Sequence, residues 1–359
     1  MKRNSTSKTR LVALLLAVVM ALGLTACGSQ TASSGIPDEG NAITAPAPEG
    51  IPRGNGGTTS GIPRGGKTKT DPEKALKPYG EVTTVVKSVK TPSKVTDKTT
   101  SMSNQYGTVD WSTCNQGYIT FTAKGQERCF ILESPNGIQS DFTSAKGETI
   151  KVALVDGTGK YQYAIANNTS DGKSYTIQYK NSFNVKTIDS DLTPFLVSTP
   201  WGDYANAPEA TKKAKELWDS KKTQLENIEA IAEWIGDNLK YDKKLKQGTA
   251  SIYVNPDSVI ENGGGVCNEH SKLLVAMLRS QGVPAYYRIG NAPYNSMKVN
   301  SSDGTHAWVL AWVELETSTK SGTTYSKGAW ISIEATSGEL IPKGEVERHY
   351  SDDNVYYAG

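Results

Sequence analysis

Between Asn104 and Tyr179 short runs rich in Tyr, Ile, Val, Phe and Thr are separated by polar stretches with Gly, Asn and Asp: Tyr118–Thr122, Cys129–Glu133, Thr149–Val155, Tyr161–Ile165 and Tyr175–Tyr179. Strand-forming runs at that spacing predict a small antiparallel sandwich over residues 104–195. After Pro208, which suits a first helical turn, helical periodicity begins and a helix is expected to about Ser220. A second helix starts at Thr223. Thr223 and Glu226 have capping-box spacing, and Ile228, Ile231, Ala232, Ile235 and Leu239 recur on one face, with Trp234 beside that stripe reading as core. A third opens at Cys267, followed by Leu273, Leu274, Met277 and Leu278 at helical spacing. Two further runs, His306–Val313 and Trp330–Glu334, flank the polar segment Thr317–Lys327. The first is apolar on both faces, the pattern of a buried central strand, and the pair is expected to make an antiparallel hairpin with residues 317–327 as its loop. Residues 196–359 are thus expected to carry helices and an antiparallel hairpin after that β domain.

The N-terminal third departs from both patterns. Lys2, Arg3, Lys8 and Arg10 precede a short apolar run, Leu11–Leu22, in the pattern of an export signal too short to span a bilayer comfortably. Leu24-Thr25-Ala26-Cys27 resembles the lipobox of bacterial lipoprotein precursors. That resemblance implies removal of residues 1–26, lipidation of Cys27 and an anchor at the extracellular face of the cell membrane, which two acyl chains hold stably. From Gly28 to about Thr70 the chain is Gly, Pro, Ser, Thr and Ala with few large apolar residues, too few to offset ordering entropy. Gly-Ile-Pro recurs there at Gly35, Gly50 and Gly61 and reads as a low-complexity spacer. Asp71–Met102 has no firm period, so all of 27–103 is expected to be linker with at most a short strand. The 359 residues carry a formal net charge of +2, which supplies no field to draw in nucleic acid.

Candidate chemistry concentrates on Gly263-Gly264-Gly265-Val266-Cys267. A thiol opening a helix faces free backbone N–H groups and the positive end of the helix dipole, which favour a thiolate and could stabilise an oxyanion. The glycines are expected to leave room for a substrate backbone. Alone, such a Cys is more often a small buried hydrophobe. The chain has three histidines. His270 shares the helix of Cys267 without an evident orienting partner, and His349 reads as a surface or packing residue. His306 stands at the edge of the buried strand. If the two strands form a hairpin centred near Lys320, Glu334 lies opposite His306, close enough for the carboxylate to accept from one ring nitrogen while the other faces the thiol; otherwise Glu334 merely ends a strand towards solvent.

Taken together, Gly265-Val266-Cys267, His306-Ala307-Trp308 and the Trp330-led strand ending in Glu334-Ala335-Thr336 resemble the transglutaminase-like superfamily, over roughly Pro208 to Thr336. Trp234, Asn238–Asp242 and Met277–Ala285 support the likeness, and the whole arrangement is similar to Gram-positive lipoproteins carrying such a core. The resemblance implies an α+β fold class, with a papain-like core over residues 196–359 in which helices pack on an antiparallel sheet, Cys267 as nucleophile, His306 as general base and acid, and position 334 as orienter. The family's third member is usually Asp followed by Pro-Thr; Glu334 implies either a working triad on a longer arm or a weakened one. The implied activity is thiol attack on an amide carbonyl, as protease, amidase or transglutaminase, with protein, peptide or cell-wall substrates, the membrane as a partner through Cys27, and no nucleic acid. No cofactor is expected, and no metal, because nothing resembles the acidic cluster of a calcium-dependent animal enzyme. A non-catalytic surface module binding peptide or wall polymer is the alternative. With Cys27 and Cys267 assigned, Cys114 and Cys129 are left either to form a disulfide or to stay as two buried thiols.

Overall fold

The structure, a computed structural model, describes residues 71–168, 175–242, 254–291, 305–349 and 355–358. The expected signal segment, Cys27 and the spacer lie outside them. In order, the elements are α1 (Pro72–Leu76), β1 (Thr83–Val89), β2 (Ser101–Ser103), β3 (Gly107–Asp110), β4 (Tyr118–Ala123), β5 (Arg128–Glu133), β6 (Gln139–Ser144), β7 (Thr149–Ala153), β8 (Gly159–Asn168) and β9 (Tyr175–Val185). There follow α2 (Pro208–Leu217), α3 (Gln224–Asn238), β10 (Lys240–Tyr241), α4 (Pro256–Glu261), β11 (Gly264–Gly265), α5 (Cys267–Ser280), β12 (Ala285–Asn291), β13 (Thr305–Lys320), β14 (Thr323–Glu334), β15 (Glu339–Ile341), α6 (Lys343–His349) and β16 (Val355–Ala358).

Two antiparallel sheets, β2-β3-β4-β7 and β6-β5-β8-β9, make the N-terminal sandwich. Alternation along β4 buries Ile119, Phe121 and Ala123, and Phe121 stacks on Phe130 of β5 at 4.7 Å between ring centroids. Each fully buried side chain of this size contributes about 1.5–3 kcal/mol. Three strands go beyond the expected set; β6 escaped because Gln-Ser-Asp-Phe-Thr-Ser offers only one large apolar residue. Cys114 and Cys129 are both free, buried thiols. Cys114 joins the main core, while Cys129 packs with Ile131, Ala164 and Ala166 in a separate cluster. On β5, Phe130 and Leu132 point into the main core and Cys129 points the other way, so the sheet separates the two sulfurs and no disulfide forms.

The second layer is a sheet in the order β1-β14-β13-β12-β16, with β15 also on β14. Helix α5 lies against β12 and β13, and α2, α3 and α4 surround it. Its side chains from Cys267 to Arg279 are buried, Glu269 excepted. A helix apolar on one stripe alone could not sit there; Leu273, Leu274, Val275, Ala276, Met277 and Leu278 cover its whole circumference. Helix α3 starts as the sequence predicts: Glu226 N–H donates to Thr223 Oγ1 at 3.2 Å, and Glu226 Oε2 accepts from Thr223 N–H at 2.7 Å.

Two expectations change here. Residues 71–103 are not uniformly linker: Leu76 of α1 is fully buried, and β1 pairs with β14 from Thr83↔Gly328 to Val89↔Thr323. Nor is 317–327 a loop. β13 and β14 run to Lys320 and from Thr323, joined by Ser321 (φ 51°) and Gly322 (φ 82°), the two left-handed positions of a tight hairpin turn. Thr317, Thr319, Thr323, Thr324 and Tyr325 are strong strand formers, so polar sequence and extended backbone coexist.

Candidate active site

Glycines place the first turn of α5. Lys240 and Tyr241 pair in parallel with Gly264 and Gly265, with Lys240 N–H donating to Gly263 O and Asp242 N–H to Gly265 O, each at 2.9 Å. Gly264 has φ 154°, and a Cβ there would lie 2.0 Å from Lys240 O. The room expected for a substrate backbone is therefore taken by β10, which only glycine lets approach so closely. Val266 offers no side-chain acceptor at the N-cap; Glu269 Oε2 instead accepts from Val266 N–H at 2.9 Å.

That parallel bridge brings Tyr241 to Cys267. The Tyr241 side chain hydrogen-bonds both the backbone and the side chain of Cys267. Its oxygen takes the amide N–H and its proton faces the sulfur. Burial pushes the Tyr241 hydroxyl up from its ordinary value, and negative charge at Cys267 and Glu334 adds to the effect. Cys267 itself is 1% exposed.

From the sheet side comes His306, which pairs across from Gly290 on β12. Nε2 of His306 lies 2.5 Å from Glu334 Oε2, and the same ring hydrogen-bonds the Cys267 side chain, leaving Nδ1 for the sulfur. Burial would push the His306 pKa down, but the Glu334 charge, with hydrogen bonds to Cys267 and Glu334, raises it to about 10. Glu334 is 1% exposed. Its desolvation is outweighed by the charge of His306 and by hydrogen bonds from His306 and Thr336, which hold the carboxyl below its usual range. Oε1 accepts from Thr336 N–H at 3.0 Å and from the Thr336 hydroxyl. Both carboxylate oxygens are thus occupied, and Glu334 does not end its strand towards solvent.

The register that makes this contact differs from the one expected. The hairpin ladder ends at Val309↔Ile333, so Glu334 projects onto the row of Trp308, two residues short of His306. Such diagonal neighbours are about 7–8 Å apart at Cα, within reach of long side chains. Glu334 spans that diagonal with an arm longer than that of Asp by one C–C bond of about 1.5 Å. A bulge at Leu315 shifts the pairing between Glu314↔Gly328 and Glu316↔Lys327. Without that one-residue shift His306 and Glu334 would face opposite sides of the sheet.

Cys267, His306 and Glu334, the three residues singled out in the sequence, are therefore contiguous. Cys114 and Cys129 belong to the sandwich, and the side chain of His349 is not among those described. Two contacts escaped sequence reasoning. Tyr241 was visible only as part of a family motif, since a two-residue parallel bridge has no periodic signature, and Thr336 only as the end of another. His270 is fully buried one turn after Cys267, with its ring edge-on to Tyr241. Among the described residues no group of three or more His, Cys, Asp or Glu is arranged to hold a metal, and no helix is long and apolar enough to cross a membrane.

Residues 211–335 match the family described as the transglutaminase-like superfamily. An uncharacterized protein of Mycobacterium bovis is 25% identical over 152 residues, 41% of this chain and 46% of that protein. Uncharacterized proteins of two Mycobacterium tuberculosis strains match to the same extent. The chain thus spans about half the length of these relatives. Among solved structures, a protein assigned as a cysteine protease from Cytophaga hutchinsonii has 18% identity and a TM-score of 0.36, over 68% of this chain and 79% of that one. The periplasmic domain of TgpA from Pseudomonas aeruginosa, bound to ethylmercury, has 14% identity and a TM-score of 0.29, over 73% and 84%.

Proposed function

We propose that this chain, whose residues 211–335 match the transglutaminase-like superfamily, is a thiol enzyme attacking amide carbonyls of peptide or cell-wall substrates, held outside the cell by a lipid on Cys27. The contact of His306 with Glu334 at 2.5 Å, on a ring that also bonds Cys267, supports this reading most strongly. Glu334 fixes the His306 ring, and its carboxylate stabilises the imidazolium that stands beside the Cys267 sulfur as it attacks. The sulfur attacks the carbonyl carbon, forming a C–S bond and moving the carbonyl electrons onto oxygen. The Tyr241 hydroxyl, whose proton faces the sulfur, is the donor for that oxyanion. Collapse breaks the C–N bond, and the amine leaves with the proton from His306. Water or an amine, deprotonated by His306, then attacks the thioester and frees the sulfur. Water makes the protein a protease or amidase; an amine makes it a transglutaminase.

The test offers glutamine-bearing peptides with and without an amine donor, following ammonia release, amine incorporation and peptide cleavage. Activity of any of these kinds that Cys267→Ala abolishes supports the proposal, and its kind assigns the acceptor. Activity unchanged in Cys267→Ala contradicts it.

A further inference from the structure

His270 lies three residues after Cys267 on α5, a spacing that puts both on one helix face. It is 0% exposed, and neither ring nitrogen has a hydrogen-bond partner. Buried polar groups are rarely left so, because the lost contact with water goes uncompensated. Phenylalanine would fill the same space without that cost. The ring stands edge-on to Tyr241, with centroids 6.4 Å apart and planes at 71°. Tyr241 is the residue that reaches both the amide and the sulfur of Cys267. The imidazole is thus the wall supporting the ring that touches the nucleophile.

We propose that His270 is a positioning residue for the thiol chemistry: as an uncharged ring it holds Tyr241 on Cys267, and taking up a proton releases Tyr241 from the nucleophile. The proposal rests on the reading of Cys267 as nucleophile. Burial keeps the ring neutral, lowering its pKa to about 4 against the opposing charge of Glu334. Glu334 reaches it from β14, Tyr241 faces it from β10, and Cys267 and Glu269 share its own helix. His306, already protonated beyond the thiol, makes a second cation in this space unfavourable. Because neither nitrogen has a partner, a new charge there is relieved only when the ring shifts towards water, and Tyr241 then loses its support.

The experiment follows modification of Cys267 by iodoacetamide from pH 8 to pH 4, read by peptide mass, in wild type, H270F, H270A, Y241F and H270A/Y241F, with thermal stability in parallel. At pH 7.5 H270A is expected to react about tenfold or more slowly, as misplaced catalytic groups do. H270F is expected to recover most of that loss, because its ring again supports Tyr241. The wild-type rate should drop between pH 6.5 and about 4, and that drop should move to lower pH in H270F. In the Y241F background H270A should add less than about twofold, the signature of two coupled residues. An unmoved acid limb in H270F, or fully multiplicative effects of H270A and Y241F, would overturn the proposal alone. Should H270A not fold, the acid limb of H270F decides. A wild-type Cys267 unreactive at every pH would overturn the nucleophile reading together with it.

Discussion

Glu334 takes its importance from reach and charge together. It meets His306 along a diagonal of the hairpin, so Glu334→Asp keeps the charge and shortens the reach. We expect Glu334→Asp to lower kcat/KM about 10²-fold, the effect of a displacement near 1 Å. Glu334→Gln keeps the reach and removes the charge, leaving His306 in the wrong protonation state; about a 10⁴-fold loss is expected by analogy with other triads. Equal or better activity in Glu334→Asp, the family-typical residue, would show that arm length is irrelevant. The same pair makes a prediction about stability. His306 binds its proton up to about pH 10 in the folded protein and releases it near the ordinary 6.5 when unfolded. Its contribution is therefore complete below pH 6.5 and lost as pH rises towards 10. Chemical denaturation at several pH values should show that decline in wild type and a smaller one in Glu334→Gln. At this scale Cys267 and His306 were legible as residue types in motifs. The pairing of His306 with Glu334 was also legible, although the estimated register was two residues out; a two-residue error preserves the face, which is why the partner was still identified.

At the scale of elements, two departures from regularity build the site. The bulge at Leu315 aligns the faces of β13 and β14, and the glycine run before α5 admits β10. Gly264→Ala forces a Cβ against Lys240 O at a backbone angle that favours glycine. It should cost about 1–3 kcal/mol, seen as a lower thermal midpoint. It should also slow Cys267 alkylation more than Gly263→Ala, which shares a left-handed φ of 68° but has no atom within 4 Å of a built Cβ. Comparable effects at both glycines would contradict the role assigned to β10. Neither device was readable beforehand. Leu315 sits in a run whose alternation looks normal on both sides, and the glycines were read as room for substrate because their β10 neighbour is too short to register as a strand. The long elements, α3 with its capping box and α5 with its apolar circumference, were legible because many residues repeat the same signal.

Across the whole molecule, the N-terminal segment is joined to the sheet that carries the chemistry. β1 covers the outer edge of β14, and Lys87 Nζ donates to Glu314 Oε2 at 2.8 Å beside the bulge. A chain beginning at Asn104 should therefore melt lower than one beginning at Asp71 and self-associate through the bared edge of β14, as measured by calorimetry and sedimentation. Equal stability of the two would mean that β1 is dispensable. The sequence concealed this because β1 is polar on its exposed side and separated from β14 by more than 200 residues; local pattern carries no record of so distant a partner. The sandwich was legible from its closely spaced strand-forming runs, and the α+β class from the family motifs around Cys267 and His306. The central claim, that this assembly activates one thiol, is tested most directly by the relative alkylation rates of Cys114, Cys129 and Cys267 in the native protein, in wild type and His306→Ala. Burial pushes the thiols of Cys114 and Cys129 up, so they serve as internal references. Cys267 should react fastest in wild type and lose that advantage in His306→Ala. Similar rates at all three thiols, or a Cys267 indifferent to the loss of His306, would contradict that claim.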